Sequence, residues 1–289
     1  MQLKQFLLAI HLTRGIGRAA EAKIIYAIAN DLESTHYPWS LNEVFSVIEN
    51  YQQADNIKSS YNLACNQAET MASDFLTYFD DAYPPQLKEI YEPPLILFYV
   101  GNLAALRLPN VAVVGTRTAT PYGLAVMRHL LPEVVKSGIA VVSGLAKGID
   151  VMAHQITFAN SGVPIAVIGT GIDMTYPAQN QALQQQIGQQ GLLLSEYPPG
   201  TGPQRSHFPA RNRIIAGLSS ATLVVEAQQK SGSLITANLA LQNNREVMVV
   251  PGSIFSENSL GANELLRFGA KMVTKSTDIM ESIQLFDTI

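Results

Sequence analysis

Residues 111–123 read VAVVGTRTATPYG, and this stretch decides the fold. An unbroken apolar run ends in glycine, then a short polar loop leads into a segment of helical character; this is the pattern of a strand covered on both faces that feeds a helix. It recurs in LILFYV (95–100), IAVVSG (139–144), PIAVIG (164–169), LLLSE (192–196), TLVVEA (222–227) and VMVVPG (247–252), with a last short run KMVT at 271–274. Such runs, separated by helical segments, predict an α/β fold with an extended Rossmann-like, doubly wound, mostly parallel sheet. Right-handed crossovers place the carboxyl ends of the strands at one edge, the edge where such sheets bind ligands. Gly115, Thr116 and Arg117, then Ser143 and Gly144, Gly169 and Gly171, and Ser195 and Glu196 all follow strand ends.

Upstream the period changes. Residues 3–79 carry apolar positions at helical spacing, as in Phe6, Leu7, Ile10 and Ala20, Ile24, Ile25, Ile28, and predict a small helical domain. The proline-rich stretch DDAYPPQLKEIYEPPLIL at 80–97 stops helices and marks the expected junction, giving a helical domain over 1–79 and the α/β domain over 80–289.

Composition narrows the class. At 289 residues the chain has ample apolar surface for such a core, and Cys65 stands alone, so neither a disulfide framework nor a cysteine metal site is expected. The opening segment has only five consecutive apolar residues, Phe6 to Ile10, too few for a signal-peptide core or a membrane span, and the reading is a soluble cytoplasmic protein. The net charge of −4 is unevenly spread: residues 1–100 hold six Lys/Arg against twelve Asp/Glu. Between Tyr197 and Arg245 the basic residues Arg205, Arg211, Arg213, Lys230 and Arg245 face the single acid Glu226. A local basic patch of this kind suits phosphates even on an acidic body.

The loops carry the candidate chemistry. FPARNRIIAG (208–217) sets Arg211, Asn212 and Arg213 before an apolar run, at what reads as a helix opening where unpaired amides and guanidiniums together suit phosphate. GTRTATPYG (115–123) offers backbone amides from Gly115 onward and the charge of Arg117, and SGLAKGID (143–150) offers Gly144, Gly148 and Lys147. KSGSLITAN (230–238) opens a helix with Lys230, Ser231, Gly232 and Ser233, which serve equally as a cap and as an anion seat. Asp150 and His154, four apart, share a helix face; a cap and a local hydrogen bond account for them better than an acid–base pair does. In IGTGIDMTYP (168–177) Met174 stands where a dinucleotide fingerprint needs its third glycine, so no NAD site is expected. The Gly-Ile-Gly turn of RGIGRAAEAK (14–23) is either a nucleic-acid grip or a tight helix–helix turn. Walker A and GxSxG motifs and paired catalytic carboxylates are absent, which predicts a site that holds phosphates without cleaving them, with no cofactor and no metal.

Taken in order, VAVVGTRTATPYG, VVSGLAKGIDVMAH, AVIGTGIDMTYP, LLLSEYPPG, HFPARNRIIAGLS, VVEAQQKSGSLITA and VVPGS…GANELLRFGA resemble the DNA-processing protein A family (DprA, also called Smf) over about residues 80–275. The helical front resembles that family's sterile-alpha-motif-like N-terminal domain. The resemblance implies a non-enzymatic protein that binds single-stranded DNA, forms a homodimer and loads the RecA recombinase during natural transformation. It implies a DNA pocket using Gly115, Thr116, Arg117, Ser143, Gly144, Lys147, Phe208, Arg211, Asn212, Arg213, Lys230, Ser231, Gly232 and Ser233, with Phe208 and Tyr176 as the aromatics available for stacking. Several family members have a DNA-contacting lysine after the Tyr-Pro of the GxG segment; here Ala178 stands there, so one phosphate contact is expected to be missing. The implied dimer and RecA surface falls on Leu239, Leu241, Leu260, Leu265 and Leu266, and a winged-helix domain found in some members is not expected. The competing readings are a nucleotide phosphoribohydrolase, whose PGGxGT segment and following glutamate SGSLITAN lacks, and a metabolite-binding dimer.

Overall fold

Apolar residues at helical spacing build the first part of the chain: α1 (Leu3–Leu12), α2 (Arg18–Asn30), α3 (Leu41–Ile48) and α4 (Ala54–Thr70). α1 buries Phe6, Leu7, Leu8, Ala9 and Ile10 in succession, and α3 begins with a reciprocal capping box between Ser40 and Glu43. The Gly-Ile-Gly turn joins α1 to α2 with Gly15 at φ 92°, a conformation that favours glycine, and the adjacent Arg14 amide is bonded to Ser60 Oγ at 3.0 Å. β1 (Phe75–Thr77), the short α5 (Pro85–Lys88) and β2 (Ile96–Gly101) follow, with β1 and β2 antiparallel and Phe75 opposite Phe98. The computed structural model describes residues 1–30, 36–49 and 54–287. The chain forms two compact units, Met1–Phe98 and Tyr99–Ile289. The proline-rich stretch packs inside the first unit: Leu87, Ile90 and Leu95 are buried, and Tyr83 donates its hydroxyl to Pro94 O at 2.8 Å.

In the second unit the predicted runs become β3 (Asn110–Val114), β4 (Ala140–Ser143), β5 (Pro164–Ile168), β6 (Leu192–Ser195), β7 (Ala221–Val224), β8 (Glu246–Val249) and β9 (Lys271–Met272). All pair in parallel, in the order β6-β5-β4-β3-β7-β8-β9. The connecting helices are α6 (Pro121–Lys136), α7 (Ile149–Ala159), α8 (Gln181–Gln190), α9 (His207–Leu218), α10 (Gly232–Gln242) and α11 (Glu257–Arg267), and α12 (Ser276–Asp287) closes the chain. From β3 to β6 the chain winds in one direction, and from β7 to β9 in the other. Right-handed crossovers therefore place α6 to α8 on one face and α9 to α11 on the opposite face. A single apolar cluster joins Val111, Val113, Val141 and Leu223 of the sheet to Leu131 and Val134 of α6, Ile156 of α7 and Ile279 of α12. Burial on both faces is the physical reason for the continuous apolar runs. Among the described residues no helix is long and apolar enough to cross a membrane.

Candidate functional site

The winding direction reverses between β3 and β7, whose residues Val114 and Val224 lie side by side. Loops leaving the carboxyl ends of two strands at such a switch point diverge and leave a crevice. Here the crevice is a cavity of about 650 Å³ bounded by Gly115, Thr116, Arg117 and Thr118 after β3 and by Ser231, Gly232 and Ser233 at the start of α10, with Phe208, Arg211 and Asn212 of α9 across it. A smaller cavity of about 190 Å³ adjoins it, lined by Gly144, Lys147 and Gly169. Arg117, Tyr176, Phe208 and Arg211 border both. Tyr176 is half exposed, its ring centroid lies 5.5 Å from that of Phe208, and the Arg117 guanidinium stands 5.9 Å from the Phe208 ring. A cation beside two accessible aromatic faces is a surface suited to a chain that alternates phosphates with planar rings.

Arg211 forms the floor. It is only 4% exposed; its Nη1 donates to the carbonyls of Gly144 and Val167 at the ends of β4 and β5, and its Nε donates to Asn212 Oδ1 at 3.1 Å. Nη2 has no protein partner among the described residues, and the side chain borders both cavities. A β-carbon at position 144 would collide with this guanidinium, which explains the glycine of SGLAKGID in packing terms. Burial lowers Arg211 to about 10, with Asp150 opposing the shift, so the group stays cationic at neutral pH. At α10, the cap residue Ser231 makes no side-chain bond to the helix amides; its hydroxyl lies 2.8 Å from that of Ser233. No side-chain oxygen therefore caps the first turn of that helix, whose residues Ser231, Gly232 and Ser233 line the cavity.

Asp150 and His154 lie beneath Arg211. Asp150 is buried, lines the larger cavity and accepts from the Ala146 amide at 3.3 Å. Burial raises its carboxyl to about 6, against the pull of Arg211, the Ala146 and Gly144 amides and Arg117. His154 is fully buried, neither ring nitrogen has a hydrogen-bond partner, and burial together with Arg211 lowers it to about 3. A neutral imidazole without solvent access is not placed for proton transfer with a ligand.

Several placements differ from those expected, beginning with His154, whose expected local hydrogen bond is absent. α9 begins at His207, so Arg211 to Arg213 sit in its second turn, where the amides are bonded within the helix and only the side chains are left to face a ligand. Pro209 misleads here: in a first turn its missing donor has no partner to lose. Ser143 is fully buried and donates its hydroxyl to Val113 O at 2.7 Å, tying β4 to β3 and leaving the hydroxyl away from the cavity. Arg213 is buried and ion-paired with Glu196 after β6, and it lines neither cavity. Lys230 is exposed, at φ 59°, in the turn before Ser231, outside the residues bounding either cavity. Thr116, Arg117, Phe208, Arg211, Asn212 and Ser231 to Ser233 are brought together as expected, with Gly115 beside them, while Gly144 and Lys147 line the adjoining cavity. Thr118, Asp150, Arg205 and Gln228 also line the larger cavity, in addition to the residues expected there. Arg205 was already visible in the basic stretch after Tyr197; the other three are uncharged or of the wrong sign for a phosphate search.

Leu241 and Leu260 are exposed, whereas Leu239, Leu265 and Leu266 are half-buried. Phe255 is 92% and Phe268 81% exposed, in the β8–α11 loop and at the end of α11. Neither had been singled out, because apolar periodicity does not mark a loop or a helix terminus.

Residues 74–284 match the family model described as DNA recombination-mediator protein A. The chain is 47% identical to DNA processing protein DprA of Streptococcus pneumoniae over 205 residues, 71% of this chain and 72% of that protein. It is 45% identical to DNA processing protein DprA of Bacillus subtilis over 202 residues, 70% and 68% of the two chains. The X-ray structure of the Streptococcus pneumoniae protein superposes with a TM-score of 0.89 at 36% identity, covering 97% of this chain and 98% of that one. DNA processing protein A from Helicobacter pylori, solved for its single-stranded DNA binding mode, superposes with a TM-score of 0.66 at 31% identity over 74% of this chain and 97% of that one. A strand-reversal crevice built from the motif loops, and sequence similarity running through them, lead to one assignment: the chain belongs to the DNA recombination-mediator protein A (DprA/Smf) family.

Proposed function

We propose that this protein binds single-stranded DNA in the switch-point crevice and, as a cytoplasmic homodimer, delivers it to the RecA recombinase in the processing of DNA taken up by the cell. The observation that carries the reading is Arg211: a buried guanidinium, fixed by two backbone carbonyls, in a side chain that borders both cavities. Its geometry is set before a ligand arrives, so little side-chain entropy opposes a contact to phosphate. Arg117 supplies a second, exposed cation, and the first turn of α10 a third contact. Phe208 and Tyr176 supply ring faces that an unstacked base reaches and a paired base does not. The Helicobacter pylori relative's single-strand binding supports the same ligand class.

The dimer is assigned to the surface of α10, α11 and the loop before α11, where Leu241, Leu260, Phe255 and Phe268 leave apolar area uncovered. A site that holds its ligand without cleaving it is the favoured reading: among the described residues Asp150 is the carboxylate lining the large cavity, and its helix-face neighbour His154 is buried and neutral.

Fluorescence anisotropy with a labelled oligothymidine, competed by unlabelled single strand or duplex, tests the reading. Single strand is expected to compete and duplex to fail. Equal competition by both, or no binding, contradicts it. Addition of RecA to the preformed complex, followed by its DNA-dependent ATPase on strand coated with single-strand-binding protein, tests the delivery step.

A further inference from the structure

An anion site with an acid in its lining needs an explanation. Asp150 borders the large cavity together with Arg211 and is 7% exposed. We propose that Asp150 sets the pH response and the tightness of the strand site: a buried carboxylate that shares Arg211 with the bound phosphate and takes a proton from solvent when the phosphate arrives. This rests on the strand-binding reading above.

The groups facing Asp150 are Arg211 from α9, Arg117 from the β3–α6 loop, the amides of Gly144 and Ala146 from the β4–α7 loop, and His154 one turn along its own helix. In the free protein Arg211 and the amides hold the carboxylate ionised against the effect of burial, which leaves it titrating at about 6. A phosphate seated in the cavity that Arg211 and Asp150 both border competes for the guanidinium and adds negative charge beside the carboxylate, and both effects favour its protonated form. The carboxyl therefore titrates higher in the complex than in the free protein. Binding then takes up protons between those two values, and affinity is greatest below about pH 6 and declines as pH rises through the bound-state value. His154 stays neutral throughout, since it titrates at about 3. His207, stacked on Tyr197 at 3.9 Å with Nδ1 3.1 Å from Gly169 O, is the other titratable ring at the site's edge and serves as the control.

The test is oligothymidine affinity at constant ionic strength between about pH 5.5 and about pH 8 for wild type, Asp150→Asn and His207→Gln. Wild-type affinity should rise about tenfold toward the acid end, the equivalent of one pKa unit between free and bound protein. Asp150→Asn should bind at the alkaline end as tightly as wild type does at the acid end and change by less than about twofold across the range, while His207→Gln keeps the wild-type profile. Should the asparagine variant fail to fold, calorimetry of the wild type in two buffers of different ionisation enthalpy reads the proton directly: net uptake near neutrality is expected. Strand binding with a flat profile and no proton uptake overturns the inference and leaves the strand site standing. A pH response that persists in Asp150→Asn and vanishes in His207→Gln also overturns it. Absence of wild-type binding at any pH removes the strand-site reading and this inference with it.

Discussion

Arg211 and Arg213 are two residues apart on α9, and the regions they occupy differ in almost every physical respect. At about 100° per residue the two side chains leave the helix roughly 200° apart. Arg213 enters the protein interior and meets Glu196, so charge is cancelled within the fold. Arg211 is as buried as its neighbour, but its hydrogen bonds go to backbone carbonyls and the Asn212 amide oxygen, the Asp150 carboxylate acts on it only through space, and it borders both cavities. Burial and charge are thus the same in the two regions; the difference lies in whether the hydrogen-bonded partner is an anion or a dipole. A guanidinium fixed by dipoles keeps its charge available.

The contrast is sharpest in the arginine that should matter only to folding. Arg213→Ala leaves Glu196 ionised and buried, and should lower unfolding free energy by about 3–5 kcal/mol, read from urea titration. Where the variant remains folded, oligothymidine affinity should be that of wild type; a loss of affinity without a loss of stability would erase the distinction between the two regions. Arg117→Ala should show the reverse pattern. Its side chain is exposed, so stability should move by less than about 0.5 kcal/mol. Affinity should fall about tenfold, roughly 1.4 kcal/mol, with the salt slope shallower by about 0.7 for the lost phosphate contact. Ser143→Ala should cost about 1 kcal/mol of stability through the unmade bond to Val113 O, with affinity unchanged. Lys230→Ala, outside both cavities, should be the mildest, reducing affinity by less than about twofold through long-range attraction alone.

The sheet was legible because its strands are buried on both faces, and continuous apolar runs such as VAVV and IAVV leave little else for those segments to be. The binding edge followed from the same runs, since the residues after parallel strands share one side. What stayed hidden was the direction of individual side chains. Ser143 and Gly144 are adjacent, yet the serine faces a neighbouring strand's carbonyl and the glycine leaves room for Arg211. Nothing in the spacing of Arg211 and Arg213 says which meets Glu196, because the register of α9 depends on a helix start that Pro209 obscures. The end of the first unit was obscured in a similar way. Prolines at 80–97 break secondary structure, but Tyr83, Leu87 and Leu95 still pack, and only tertiary contacts show that the unit runs to Phe98.

Photo-crosslinking of a 5-iodouracil-substituted single strand, with the attachment site read by mass spectrometry, tests most directly that the crevice between β3 and β7 is where the strand lies. The account predicts adducts on Phe208 or Tyr176 that weaken, at protein concentrations below saturation, when Arg117 is replaced by alanine. Adducts confined to residues outside the two cavities, and unaffected by that substitution, would contradict it.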